Sequence, residues 1–115
     1  MPAVGSALAR AVFAVAVLAS LVVLFAPGSD VPSAPPGVDK VVHALVFAGL
    51  AVTGRWAGVP RNPLAGTLVV YAVGSELLQG LTPLARSASV ADAVADLAGV
   101  AIGLALWGWG ARRPR

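Results

Sequence analysis

Four long apolar runs fill most of this chain and narrow its fold to one class. Crossing the hydrocarbon core of a bilayer takes about 20 mainly apolar residues. Runs of that kind fall at Ala7–Ala26, Asp39–Ala57, Pro63–Leu81 and Ala91–Trp109. Lipid offers no partner to an unpaired backbone group, so each run is expected to be a helix. Hydrophobic residues make up 58% of the chain and charged ones 11%, where a soluble domain carries about 25% charged residues. A soluble core is therefore excluded. The expected fold is all-α: a polytopic four-helix transmembrane bundle, one domain over residues 1–115.

The punctuation between the runs agrees. Pro27-Gly28 closes the first, a Pro/Gly-rich linker at Val31–Val38 precedes the second, and Pro60 follows it. Pro63 suits a first helical turn. Arg10 can snorkel to headgroups from near the start of the first run. Arg55, Trp56, Trp107 and Trp109 sit at run ends, where basic and aromatic anchors belong. With the amino terminus in the cytoplasm, Arg10, Arg55, Arg61, Arg112, Arg113 and Arg115 all face the cytoplasm. Lys40 and Arg86 are then the two basic residues outside, a positive-inside asymmetry that puts both termini in the cytoplasm. Met1–Ala26 also has the short basic start of a signal peptide, but no convincing small-x-small cleavage site follows. There is no cysteine, which excludes disulfides and thiolate metal sites. The net charge of +3 is explained by topology, and with no basic soluble patch no nucleic acid is expected as a partner.

Against this background seven residues stand out in or beside the spans: Lys40, His43, Glu76, Gln79, Arg86, Asp92 and Asp96. Translocon scales put Asp, Lys or Arg at a helix centre at roughly 2.5 to 3.5 kcal/mol. Under the topology above, all seven lie toward the outer face. His43, Glu76 and Asp96 fall roughly 6 to 10 Å inside their helix ends at the α-helical rise. Lys40, His43 and Phe47 share a stripe, as do Glu76 and Gln79. Asp92, Asp96, Gly99 and Gly103 follow at spacings of four, three and four, which sets the carboxylates above a small-residue stripe suited to close helix packing. Asp39 is expected to cap the second helix. Ser89 and Asp92 form a capping pattern for the fourth. Glu76, near a helix carboxyl end, calls for a cation, with Lys40, His43 and Arg86 as the candidates. Tyr71 reads as a packing or interfacial residue.

At these positions the chain resembles the VanZ-like membrane proteins. Asp39-Lys40-x-x-His43-x-x-x-Phe47-x-x-Leu50 is similar to the first motif of that family. Glu76-x-x-Gln79 and Arg86-Ser87-x-Ser89-x-x-Asp92 are similar to the second and third, and Asp96-x-x-Gly99-x-x-x-Gly103 completes the set. The family more usually carries Asn where this chain has Asp96, so the charge balance differs there. The resemblance implies a small multi-pass protein of the bacterial plasma membrane. It also implies a link to resistance against teicoplanin, a glycopeptide acting on cell-wall precursors at the outer face.

Three functions compete. The first is a site that binds or modifies an anionic envelope molecule, such as a lipid-linked cell-wall precursor, or a glycopeptide. Lys40 and Arg86 would hold the anion, with Gln79 hydrogen-bonding it or Glu76. If the protein is an enzyme, Glu76 or His43 would be the general base, with Asp92 orienting His43 or Arg86; no reaction is assigned. The second is a transporter or proton relay, for which His, Asp and Glu inside a membrane are typical. The cytoplasmic halves of the spans carry no acidic residue or His, so a crossing path would need a homo-oligomer. The third is a structural or partner-binding protein whose charge cluster locks the fold. Because Lys40 and Arg86 already supply positive charge, neither a metal nor a cofactor is expected.

Overall fold

The computed structural model describes residues 2–25, 37–81 and 90–112, apart from the side chains of Gln79 and Arg112. It is all-helical, with no strand among the described residues. The four helices are α1 (Ala7–Phe25), α2 (Val38–Trp56), α3 (Arg61–Leu81) and α4 (Val90–Arg112). Two of them, α1 and α4, are long and apolar enough to cross a membrane. The other two runs are less apolar because Asp39, Lys40, His43 and Arg55 fall on α2, and Arg61 and Glu76 on α3.

Local chemistry sets the helix ends. Ser6 caps α1, its hydroxyl accepting the Ala9 N–H at 3.1 Å. Gly37, in a left-handed conformation, occupies the N-cap of α2. Asp39 therefore lies inside the first turn and pairs with Lys40 at 3.5 Å, so the expectation that it caps the helix is corrected. The carboxyl end of α2 closes as a Schellman motif. Val59 N–H donates to Gly54 O and Gly58 N–H to Arg55 O, each at 3.0 Å. That closure needs positive φ at Gly58, which adopts +97°. Ser89 lies outside the described residues. At its other end α4 continues to Arg112, three residues past the expected stop at Trp109.

α2 is the central helix and touches the other three. Its Phe47, Leu50 and Ala51 are buried together with Leu24 of α1, Leu64, Leu68 and Ala72 of α3, and Val100 of α4. The most extensive contact is between α2 and α4. Gly99 seats on the backbone of Ala44 and Gly103 on that of Ala48, so the two helices run parallel and backbone to backbone. Around this core, large apolar side chains turn outward on every helix: Val22, Leu45, Val70 and Leu106 are all exposed.

One polar tie within the apolar body escaped sequence reading. The hydroxyls of Ser20 on α1 and Tyr71 on α3 meet at 2.9 Å, while Ser20 donates to Val17 O at 2.7 Å. Tyr71 also packs on Phe47, ring centroids 5.5 Å apart. Tyr71→Phe removes the hydroxyl and keeps the ring, so it is expected to cost about 0.5–1.5 kcal/mol. Thermal unfolding of the detergent-solubilised chain checks this, with Tyr71→Ala costing clearly more.

Candidate functional site

At the end of the molecule formed by the start of α2, the end of α3 and the start of α4, polar side chains meet in a buried group. The helical spacing explains why. Lys40 and His43 lie one turn apart on α2, Asp92 and Asp96 one turn apart on α4, and the parallel glycine seat below them holds the two stripes face to face.

Lys40 Nζ donates to Asp92 Oδ1 at 3.1 Å. One turn deeper, His43 Nδ1 lies 2.8 Å from Asp96 Oδ1 and donates to it. Glu76 comes in from α3, its Oε1 3.9 Å from the same ring nitrogen. The other ring nitrogen, Nε2, is 4.0 Å from Asp92 Oδ2. His43, Glu76 and Asp96 are 4%, 5% and 0% exposed, whereas the Lys40 side chain is 44% exposed. The ammonium thus sits at the rim and the ring and carboxylates form the floor.

Five of the seven residues singled out in the sequence are therefore brought together: Lys40, His43, Glu76, Asp92 and Asp96. The Gln79 side chain and Arg86 lie outside the described residues. The division of labour differs from expectation in one respect. The carboxylate in hydrogen-bonding contact with His43 is that of Asp96, while Asp92 reaches up to Lys40. The two acidic residues are one turn apart and share a stripe, so helical periodicity does not say which meets the ring. The answer depends on the axial register of α2 against α4, which Gly99 and Gly103 set.

Chemically, the ring is gripped from one side by a carboxylate, the arrangement that fixes an imidazole's tautomer and orientation. His43, Glu76 and Asp92 can each bring one nitrogen or oxygen to within 4.8 Å of the others. Lys40 pairs with this group at its rim.

The opposite end of the molecule is built differently. Arg55 donates to Val59 O and Trp56 Nε1 to Pro2 O, each at 2.9 Å, and Gly5 N–H donates to Trp56 O at 2.8 Å. The amino-terminal segment is thereby tied to the end of α2 farthest from the polar group. Comparison with known protein families, curated proteins and solved structures finds no match.

Proposed function

We propose that this chain is a VanZ-like, four-span protein of the bacterial plasma membrane with both termini in the cytoplasm. Its outward-facing polar group binds or modifies an anionic envelope molecule or a glycopeptide, and through it the protein contributes to teicoplanin-type resistance. The observation that carries the reading is the cluster. Side chains from three helices meet, buried, at one end of the molecule, with a half-exposed ammonium at the rim. Membrane embedding is supported by the apolar side chains on the outside of all four helices, since soluble monomers rarely expose contiguous apolar patches larger than a few hundred Å². Lengths of 19 to 23 residues correspond to about 28–35 Å, matching a hydrocarbon core of about 30 Å.

An arriving anion would meet Lys40 first and would compete with Asp92 for its ammonium. Arg86, in the segment between α3 and α4, would add a second and bidentate contact. The test is a paired assay of Lys40→Ala, Arg86→Ala and Glu76→Gln in a susceptible host. Membrane abundance and glycopeptide susceptibility are scored together. Normal abundance is expected, with susceptibility returning to that of the host lacking the protein. Wild-type resistance in both cation variants would sink the reading.

One observation favours the purely structural alternative. Both short contacts of the cluster, Lys40–Asp92 and His43–Asp96, join α2 to α4. A lock of that kind would make abundance fall in step with the phenotype.

A further inference from the structure

The two atoms that face each other across the cluster point to a cation. His43 donates Nδ1–H to Asp96, which leaves Nε2 as the nitrogen a cation would take from the neutral ring. Asp92 divides its carboxylate: Oδ1 accepts from Lys40, and Oδ2 is the oxygen that faces Nε2 at 4.0 Å. That separation is too long for a hydrogen bond, which takes about 2.7–3.0 Å. Two ligands of one divalent ion, each with a bond of about 2.0–2.2 Å, sit about 3 to 4 Å apart. Glu76, from a third helix, can bring an oxygen within 4.8 Å of a His43 ring nitrogen and an Asp92 oxygen, its Oε1 lying 3.9 Å from Nδ1.

A second observation is independent of that trio. Asp96 is fully buried, and its Oδ2 has no hydrogen-bond partner among the described residues. A buried carboxylate that grips a ring with one oxygen and leaves the other unbonded is costly as a packing element. It is the common partner of a metal-bound imidazole.

We propose that His43, Glu76 and Asp92 form a divalent-cation site, with Asp96 as the carboxylate that orients the ring. One imidazole with two carboxylates suits Mn²⁺ or Zn²⁺, because carboxylates favour Mn²⁺ and imidazole favours Zn²⁺. The site goes beyond the anion reading and stands without it. If both hold, the cation gives a phosphate or carboxylate headgroup a partner inside a carboxylate-rich floor that would otherwise repel it.

The test uses the full chain, purified in detergent, stripped with chelator and titrated with Mn²⁺ alone, free aqua-Mn²⁺ being followed by electron paramagnetic resonance. One Mn²⁺ per chain is expected, displaced by Zn²⁺, with nitrogen modulation from a coordinated imidazole in the wild-type pulsed spectrum. Glu76→Gln and Asp92→Asn each lose a ligand charge and should weaken binding by at least tenfold. Asp96→Asn acts through the ring and should weaken it about 10- to 100-fold. Asp39→Asn, at an exposed neighbour of Lys40, should bind as wild type. Absence of stoichiometric binding by the wild-type chain overturns the proposal, and so does binding without nitrogen modulation. Equal binding by Glu76→Gln, Asp92→Asn and wild type also overturns it. Inorganic phosphate and anionic-lipid vesicles are tested separately. Metal binding without anion binding keeps the site and removes the anion reading, and the converse result does the reverse.

Discussion

Gly99→Ala is expected to push α2 and α4 apart and to be the most damaging glycine-to-alanine change among the described residues. A Cβ at Gly99 would fall on the carbonyl oxygen of Ala44 and within 2.9–3.0 Å of that residue's C and Cα. These obstacles are backbone atoms in the middle of a helix, so no rotamer change relieves them. Overpacking a tight interior typically costs about 1–3 kcal/mol, and this site belongs at or above the top of that range. Between helices in lipid, association rests on close packing and interhelical hydrogen bonds, because the lipid tails are as apolar as the side chains. Losing the close approach thus removes most of what joins the pair. Gly103→Ala meets Ala48 O at 2.6 Å and the Ala51 methyl at 2.7 Å and should follow closely. Gly49→Ala and Gly74→Ala are the controls. Nothing lies within 4 Å of a Cβ at either position, and alanine favours the helix by about 0.5–1 kcal/mol over glycine. The measurement is thermal unfolding in detergent across the four variants. If Gly99→Ala melts with Gly49→Ala, the α2–α4 seat is not what holds the helices together. Because the seat also sets the register of Lys40 against Asp92 and His43 against Asp96, Gly99→Ala should lose the cluster's chemistry along with the packing.

The same seat explains what could be read in advance. Four helices were legible because the runs are long and apolar and end at Gly and Pro. The inward face of α4 was legible because Asp92, Asp96, Gly99 and Gly103 repeat at helical spacing, with the small residues directly below the acids. Periodicity gives a face, however, and says nothing about axial offset against a neighbour. A shift of one turn would set Asp92 opposite His43 and carry Asp96 on toward Phe47, which is why the contact of Asp96 with His43 could not be read from spacing. The cap of α2 was misread for a related reason. Asp39 is a good capping residue, but Gly37 two residues earlier already supplies the left-handed start, and the acid falls inside the first turn beside Lys40. The Ser20–Tyr71 bridge joins positions 51 apart with no periodic signature at either. Arg86 and the side chain of Gln79, prominent in the sequence, lie outside what the structure describes.

Asp96 separates the structural and chemical roles of the cluster most cleanly. Asp96→Ala leaves the buried His43 Nδ1–H facing a cavity, with no acceptor in place of Oδ1. Leaving a buried donor unsatisfied costs about 1–3 kcal/mol, so this variant is expected to unfold below wild type and to accumulate poorly. Asp96→Asn keeps an oxygen for the ring at nearly the same volume, and Asn is the residue the VanZ-like resemblance implies for this position. Its stability is expected to fall by roughly 1 kcal/mol, the net worth of one hydrogen bond. What it loses is the second negative charge behind the imidazole. If Asp96 serves chiefly to lock α2 against α4, Asp96→Asn should behave as wild type in every assay except for that small loss of stability. If it orients and polarises His43 for a ligand at Nε2, Asp96→Asn should be well folded yet bind Mn²⁺ weakly. Equal stability of Asp96→Ala and wild type would remove both roles, because a fully buried carboxylate gripping a buried ring cannot be deleted without cost while that contact exists.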